Sequence, residues 1–408
     1  MRQQWFLYLS AKILGGARLI GGMKKLGHLT KVSNTAVAEC PIRVGLTEAH
    51  GMLDEVSRYP PPGVIYSFVK APQSRLMKVL RSPIKGYLRQ YSSPNHDLLE
   101  SVMHPVLTGN RWILSIANFQ ECTAFGLLGI SLPRAVRVAF IKNLLLKDNL
   151  KKVYFWSNAG CKTLQTYGHV TDPRVLEKVT VVYPAIRRVP DELIRFHDED
   201  VRILFSGDFF RKGGANMIDA FEMAQKHFPS IKLQLCCDER IDFTTPNHQM
   251  REKYLARIKS NPAITIGRVA RQTLICEILP RTDIYALPTY VEAFGFALLE
   301  AMAFGIPVIS TTHFAIPEVV EHGVCGFLID TDRFDCERLF PGYVVEMIPE
   351  GFHEYMSEQM FQNLCALIES ADLRRRMGEA GMTIARSKFS FETRNQRMLE
   401  IYREAIAD

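Results

Sequence analysis

Short apolar runs recur along the chain, separated by polar, helix-forming stretches. After residue 40, PIRVGLTEAHG reads as a first strand and its loop. VIYSFV (64–69), WILSIA (112–117), KVYFW (152–156) and VTVVY (179–183) are further runs of strand length, rich in β-branched and aromatic residues. Residues 157–167 have helical character, and the last of these runs stops at Pro184. A charged, Pro-containing segment, RRVPDE (187–192), follows, and HDED lies at 197–200. The alternation then restarts with RILFS (202–206), a helix at about 215–227, KLQLC (232–236), a helix near 247–259, ITI (264–266), IYAL (284–287), a helix at about 296–304 and VIS (308–310). Strand alternating with helix is the pattern of a parallel α/β sheet. The last segment, 389–407, places Phe391, Met398, Ile401 and Tyr402 at near-helical spacing. The pattern predicts two α/β domains in series, at 39–187 and 188–388, with a C-terminal helix at 389–408 and a separate segment at 1–38.

Length and composition agree with this division. A chain of 408 residues with 47% apolar and 23% charged residues is soluble, globular and large enough for two domains. The net charge of +7 belongs almost wholly to residues 1–38, which carry Arg2, Lys12, Arg18, Lys24, Lys25 and Lys31 and no acid. The rest is nearly neutral, so charge gives no reason to expect a nucleic-acid binder. The tail mixes these cations with Trp5, Phe6, Leu7, Tyr8 and Leu9, but no apolar stretch reaches the roughly 18–20 residues of a spanning helix. Lys12 and Arg18 interrupt what a signal peptide would need to keep apolar. Peripheral membrane contact through an interfacial helix, an ordinary docking or frayed terminus, and a targeting segment all stay open. Nine scattered cysteines with no CxxC pair point to a reduced, cytoplasmic protein, which the tail would place at the inner membrane face. Cys236 and Cys237 lie in an apolar run and read as core. Asp198-Glu199-Asp200 forms a D-x-D string, but its hydrophilic linker setting reads as a solvated turn.

The chemistry concentrates in ALPTYVEAFGFALLEAMAFGIPVIST, 286–311. A strand stops at Pro288, a loop carries Glu292, and a helix-forming run begins after Gly295 and ends at Gly305, with Pro307 beyond it. A loop at the carboxyl end of a parallel strand faces the ligand crevice of an open sheet. The amides and positive dipole end of the helix point there too, which suits phosphate. Gly295 permits close approach to the backbone. Glu300 would sit ~6 Å along the helix axis from its start, at 1.5 Å per residue. Two carboxylates either side of an anion-binding turn suit a ligand with hydroxyls at both ends and phosphates between.

Glu292 and Glu300, with Phe294, Gly295, Ala301, Met302, Gly305, Pro307 and Val308, closely resemble the E-x7-E signature of family 4 glycosyltransferases (glycosyl transferases group 1). FSGDFFRKGG (205–214) resembles that family's diphosphate-gripping segment, with Lys212 at the place of its lysine. Asp208 stands where the family often has arginine, and Arg211 lies beside Lys212, so either cation is open to the neutralising role. IGRV (266–269), DIYALPT (283–289) and EVVEHGVCGFLID (318–330) fit the same pattern. The resemblance covers about 200–385 well and is weak before 190.

It implies a GT-B fold, in which two Rossmann-like domains face across a cleft and the C-terminal helix returns to the first. It also implies retaining transfer of a sugar from a nucleotide-sugar donor to an acceptor hydroxyl, with no metal or other cofactor required. Glu292 would hold the sugar hydroxyls and Glu300 the ribose. Arg211, Lys212 and the amides of Phe294, Gly295 and Phe296 would stabilise the leaving phosphates. Gly207 would let the phosphates approach, and the backbone of Gly267, Arg268 and Val269 would read the base. From the first domain, Asn118 would touch the sugar, with His50 and His104 as alternatives. The basic tail favours a glycan or lipid-linked acceptor. A nucleotide-sugar epimerase, a non-catalytic partner of the same fold and a membrane-surface protein are the competing readings.

Overall fold

The computed structural model describes residues 40–47, 51–71, 90–123, 126–127, 130–131, 133–197, 200–242, 247–331 and 348–407. The basic segment 1–38, His50, Asp198 and Glu199 lie outside them. Within the described residues the apolar runs form two six-stranded, wholly parallel sheets. The first is ordered Val179–Val181, Leu150–Phe155, Trp112–Ile116, Leu98–Val102, Ile42–Leu46, Val64–Phe68. The second is ordered Ile264–Ile266, Lys232–Cys236, Arg202–Ser206, Ile284–Ala286, Val308–Thr311, Gly326–Ile329. Parallel strands need crossover connections, which the helices between them provide.

Strands and helices expected from the apolar pattern appear with their ends moved by a residue or two, where ladder or helix bonding stops short of the last apolar side chain. The helix expected at 215–227 runs Gly214–Gln225, and the terminal helix runs Phe391–Ala407. Two strands of these sheets, Leu98–Val102 and Gly326–Ile329, are not among those expected, and the first escapes the pattern because Glu100 sits in its middle. That glutamate is fully buried. Its carboxylate accepts hydrogen bonds from the Tyr154 hydroxyl at 2.5 Å and from the Tyr402 hydroxyl, so the polar group is satisfied inside the core. Burial first, and then the nearby Glu100 charge, push both phenols well above their usual range. Three more helices, Arg134–Leu145, Phe352–Glu369 and Ala371–Lys388, were not expected from the sequence.

The C-terminal helix crosses back to the first domain. Tyr402 bonds Glu100, and its hydroxyl lies 2.8 Å from that of Tyr66. Asn395 Nδ2 donates to the carbonyl of Tyr59 at 2.8 Å, and Phe391 stacks on the Tyr59 ring at 4.8 Å. One apolar cluster therefore runs from Ile42 and Leu98 through the second sheet to Met398 and Ile401. Cys236 and Cys237 belong to this packing, and burial raises their thiols to about 11 and about 12. Among the described residues no helix is long and apolar enough to cross a membrane.

Candidate active site

The order of the second sheet, numbered along the chain, reverses between Arg202–Ser206 and Ile284–Ala286. Ligands of open α/β sheets bind outside the carboxyl ends of the strands at such a reversal. The loops that leave these two strands, 207–213 and 287–295, are the two that the sequence singles out.

Backbone geometry draws the two loops together. Gly207 has φ 112°, and a Cβ there would stand 3.2 Å from Cγ of Lys212, so the lysine stem lies across the glycine. Gly213 has φ 79°, and a Cβ would fall 1.9 Å from the carbonyl oxygen of Pro288. Only glycine permits both this left-handed conformation and this contact. The Tyr290 amide donates to the Arg211 carbonyl at 3.1 Å, and the Tyr290 hydroxyl donates to Asn216 Oδ1 at 2.8 Å. Asn216 is itself fully buried.

Lys212 and Glu292 meet at the centre. Lys212 Nζ donates to Glu292 Oε2 at 2.8 Å and to the Val291 carbonyl at 2.6 Å. The amides of Ala293 and Phe294 donate to Glu292 Oε1 at 3.0 and 3.4 Å. Burial alone would raise the Glu292 carboxyl, but the Lys212 charge and these hydrogen bonds outweigh it and hold the group below its usual value. The Phe294 amide, expected to face phosphate, donates to Glu292 Oε1 in this structure. Gly295 is the N-cap of the helix Phe296–Ala303, at φ 102°, so the amides opening this helix belong to Phe296, Ala297 and Leu298.

Two neighbours of this centre went unnoticed in the sequence. His313, just beyond the strand Val308–Thr311, is buried within the fields of Glu292 and Lys212. Burial lowers its imidazole to about 4, so it is neutral at pH 7. Arg271 forms a two-pronged ion pair with Glu300, its Nη1 at 2.7 Å from Oε2 and its Nη2 on Oε1. Burial pulls the Arg271 guanidinium below its usual value. No fixed spacing in the sequence connects these residues to the E-x7-E string, so only the fold reveals them.

The other expected residues fall as follows. Arg211 Nε faces Asp208 Oδ2 at 3.8 Å. The unusual acid at 208 thus accompanies the unusual arginine at 211, while Lys212 is the cation turned to Glu292. Arg268 pairs with Asp238 and leaves nearly half its side chain exposed, and the Gly267 amide donates to the Leu235 carbonyl at 3.0 Å. In the first domain, Asn118 follows the strand Trp112–Ile116 and is fully buried. Its Oδ1 accepts from the Glu121 amide at 3.0 Å, which makes it a cap for the helix Phe119–Thr123, while its Nδ2 has no hydrogen-bond partner among the described residues. Burial raises the nearby Glu121 carboxyl to about 7. The His104 carbonyl accepts from Ser101 Oγ at 2.5 Å.

Residues 192–337 match the family described as Glycosyl transferases group 1. Over 140 residues the chain is 30% identical to N-acetyl-alpha-D-glucosaminyl L-malate synthase of Bacillus anthracis, a match covering 34% of this chain and 31% of that relative. The chain thus spans about a third of the length of that relative. In three dimensions it is similar to a glycosyltransferase from Rickettsia africae ESF-5, with TM-score 0.58, 14% identity, and coverage of 91% of this chain and 100% of the other. It is also similar to Anabaena HepE in complex with UDP and glucose, with TM-score 0.53, 16% identity, and coverage of 88% and 90%. These likenesses establish the fold as GT-B, with two Rossmann-like α/β domains.

Proposed function

We propose that the chain is a retaining glycosyltransferase, moving a sugar from a nucleotide-sugar donor bound between Lys212, Glu292 and Glu300 to an acceptor hydroxyl presented by the first domain. The observation that carries this reading is the Lys212–Glu292 pair, set beside the first amides of the helix Phe296–Ala303 at the reversal point of the second sheet. The match of 192–337 to the group 1 family covers the same elements.

A lysine has three N–H donors. Two are spent on Val291 and Glu292, and the third serves the donor diphosphate. Charge builds on those phosphates as the glycosidic bond breaks, so Lys212, Arg211 and the helix amides stabilise the transition state more than the ground state. With this charge supplied by the protein, the reaction requires no metal. Glu292, held ionised by its donors, accepts hydrogen bonds from the sugar hydroxyls. Glu300 does the same for the ribose, steered by Arg271. The acceptor hydroxyl then attacks from the face the diphosphate has left, and the departing phosphate takes its proton. Asn118, fully buried at the end of its strand, is the first-domain group that this reading assigns to the sugar. A glycan or lipid-linked acceptor at the cytoplasmic membrane face is the acceptor class that the basic segment 1–38 favours.

A thermal-shift series with UDP-, GDP-, ADP- and dTDP-sugars tests the reading, because a ligand that binds the folded state raises its melting temperature. One nucleotide class raises it in the wild type, and Glu300→Ala loses most of the rise. No response to any of them refutes the donor site.

A further inference from the structure

One carboxylate of the second domain takes four hydrogen bonds from the first. Glu318 lies in the short helix Ile316–Val319 of the second domain. Its Oε2 accepts from the Asn158 amide at 2.8 Å, from Asn158 Nδ2 at 2.8 Å and from the Tyr183 hydroxyl at 2.9 Å. Its Oε1 accepts from the Ala159 amide at 2.8 Å. All four donors belong to the first domain. Asn158 and Ala159 open the helix Asn158–Thr166, whose next amide, that of Gly160, is taken by the Ser157 hydroxyl at 2.9 Å. The first three amides of that helix are therefore satisfied, two of them by an anion from across the cleft, where the helix dipole favours negative charge. On its other side, Lys388 Nζ donates to the Glu318 carbonyl at 2.7 Å and stands 4.6 Å over the Tyr183 ring.

The same contact zone includes the donor loop. Phe296, the first residue of the helix Phe296–Ala303, meets the Trp156 ring edge-on at 5.9 Å. Phe294, whose amide bonds Glu292, packs 6.5 Å from the Tyr183 ring. Tyr183 makes one of the Glu318 bonds, and Trp156 lies two residues before Asn158, which makes two more. A change in the angle between the domains at Glu318 must therefore move the rings next to Lys212 and Glu292.

We propose that Glu318 is a positioning residue, an interdomain latch that fixes the closed cleft angle at which the donor loop meets the first domain. Its effect on catalysis rests on the glycosyltransferase reading above; its effect on the domain angle does not. The latch acts on the transfer step, where donor and acceptor must be aligned, and little on nucleotide affinity, whose contacts lie in the second domain.

The test compares Glu318→Ala, Glu318→Gln and Tyr183→Phe with the wild type. Small-angle X-ray scattering reads the domain angle, titration with UDP, GDP and ADP reads nucleotide affinity, and steady-state turnover reads kcat. Glu318→Ala is expected to enlarge the radius of gyration and lower kcat about 10- to 100-fold, with nucleotide Kd changed by less than about 3-fold because no nucleotide contact is lost. Glu318→Gln keeps one accepting oxygen and falls between. Tyr183→Phe removes one bond at nearly constant packing and gives the smallest change in the same direction. Unchanged scattering in Glu318→Ala overturns the latch. So does a kcat loss matched by an equal loss of nucleotide affinity, which marks general damage to the fold. Absence of nucleotide binding in the wild type refutes the donor-site reading alone, and the scattering comparison still decides whether Glu318 holds the domains.

Discussion

Lys212 Nζ lies 2.8 Å from Glu292 Oε2, across two loops that are 80 residues apart in the chain. Both side chains are mostly buried. Glu292 is therefore poorly suited to act as a general acid, because the lysine and two backbone amides hold it ionised. It is suited to accept hydrogen bonds while its partner grips an anion.

Removing the lysine exposes that dependence. In Lys212→Met the burial that opposes the Glu292 charge is no longer outweighed, so the carboxyl pKa rises, as NMR titration of carbon-labelled glutamate would record. Turnover is expected to fall about 10²- to 10³-fold, the usual loss for one transition-state donor. An unchanged Glu292 titration would show that the pair does not set its ionisation.

His313 gives the fold a pH dependence whose sign follows from its burial. The folded imidazole titrates at about 4 against a reference of 6.5. The unfolded chain thus binds the proton first as pH falls. Stability is retained above pH 6.5 and lost as pH drops toward 4, by about 3 kcal/mol in full. Urea unfolding of His313→Asn should show a shallower decline over that window. An equal decline in both proteins would place the acid sensitivity elsewhere.

Arg271 and Glu300 should behave as one unit toward the nucleotide. Arg271→Ala frees the Glu300 carboxylate from its orienting fork. We expect donor KM to rise about 10-fold with little change in kcat, the signature of lost uniform binding. The double variant Arg271→Ala, Glu300→Ala should be scarcely worse than Glu300→Ala. Additive losses in that cycle would mean that the two residues act independently.

The link between the C-terminal helix and the first domain is open to a separate measurement. Tyr402→Phe takes one donor from the fully buried Glu100 carboxylate. The cost is about 1–3 kcal/mol of unfolding free energy, read by denaturant melts. A neutral result would show that Tyr154 alone satisfies the acid.

Much of this arrangement is legible in the sequence because it is local. Apolar runs such as RILFS and KLQLC declare buried parallel strands, and the glycines at 207, 213 and 295 sit where left-handed turns occur. What the sequence hides depends on distant partners. Leu98–Val102 reads poorly as a strand until Tyr402, some 300 residues away, is seen to bond Glu100. Arg271 and His313 carry no motif, Glu318 opens a stretch that fits the family pattern without declaring its role, and the partners of all three come from loops and helices that only the fold brings near. The Phe294 amide reads as a phosphate donor from its place before the helix, and its bond to the neighbouring Glu292 side chain appears only in the fold.

The most direct test of the donor site is calorimetric titration of UDP, GDP and ADP into the wild type and into Lys212→Met, with circular dichroism confirming that both are folded. One of the three should bind the wild type in the micromolar range and Lys212→Met at least about 10-fold more weakly, as loss of a charge-assisted phosphate contact requires. Equal affinity for both proteins, or no binding of any nucleotide to the wild type, would contradict the assignment of the Lys212–Glu292 pair to a nucleotide-sugar donor.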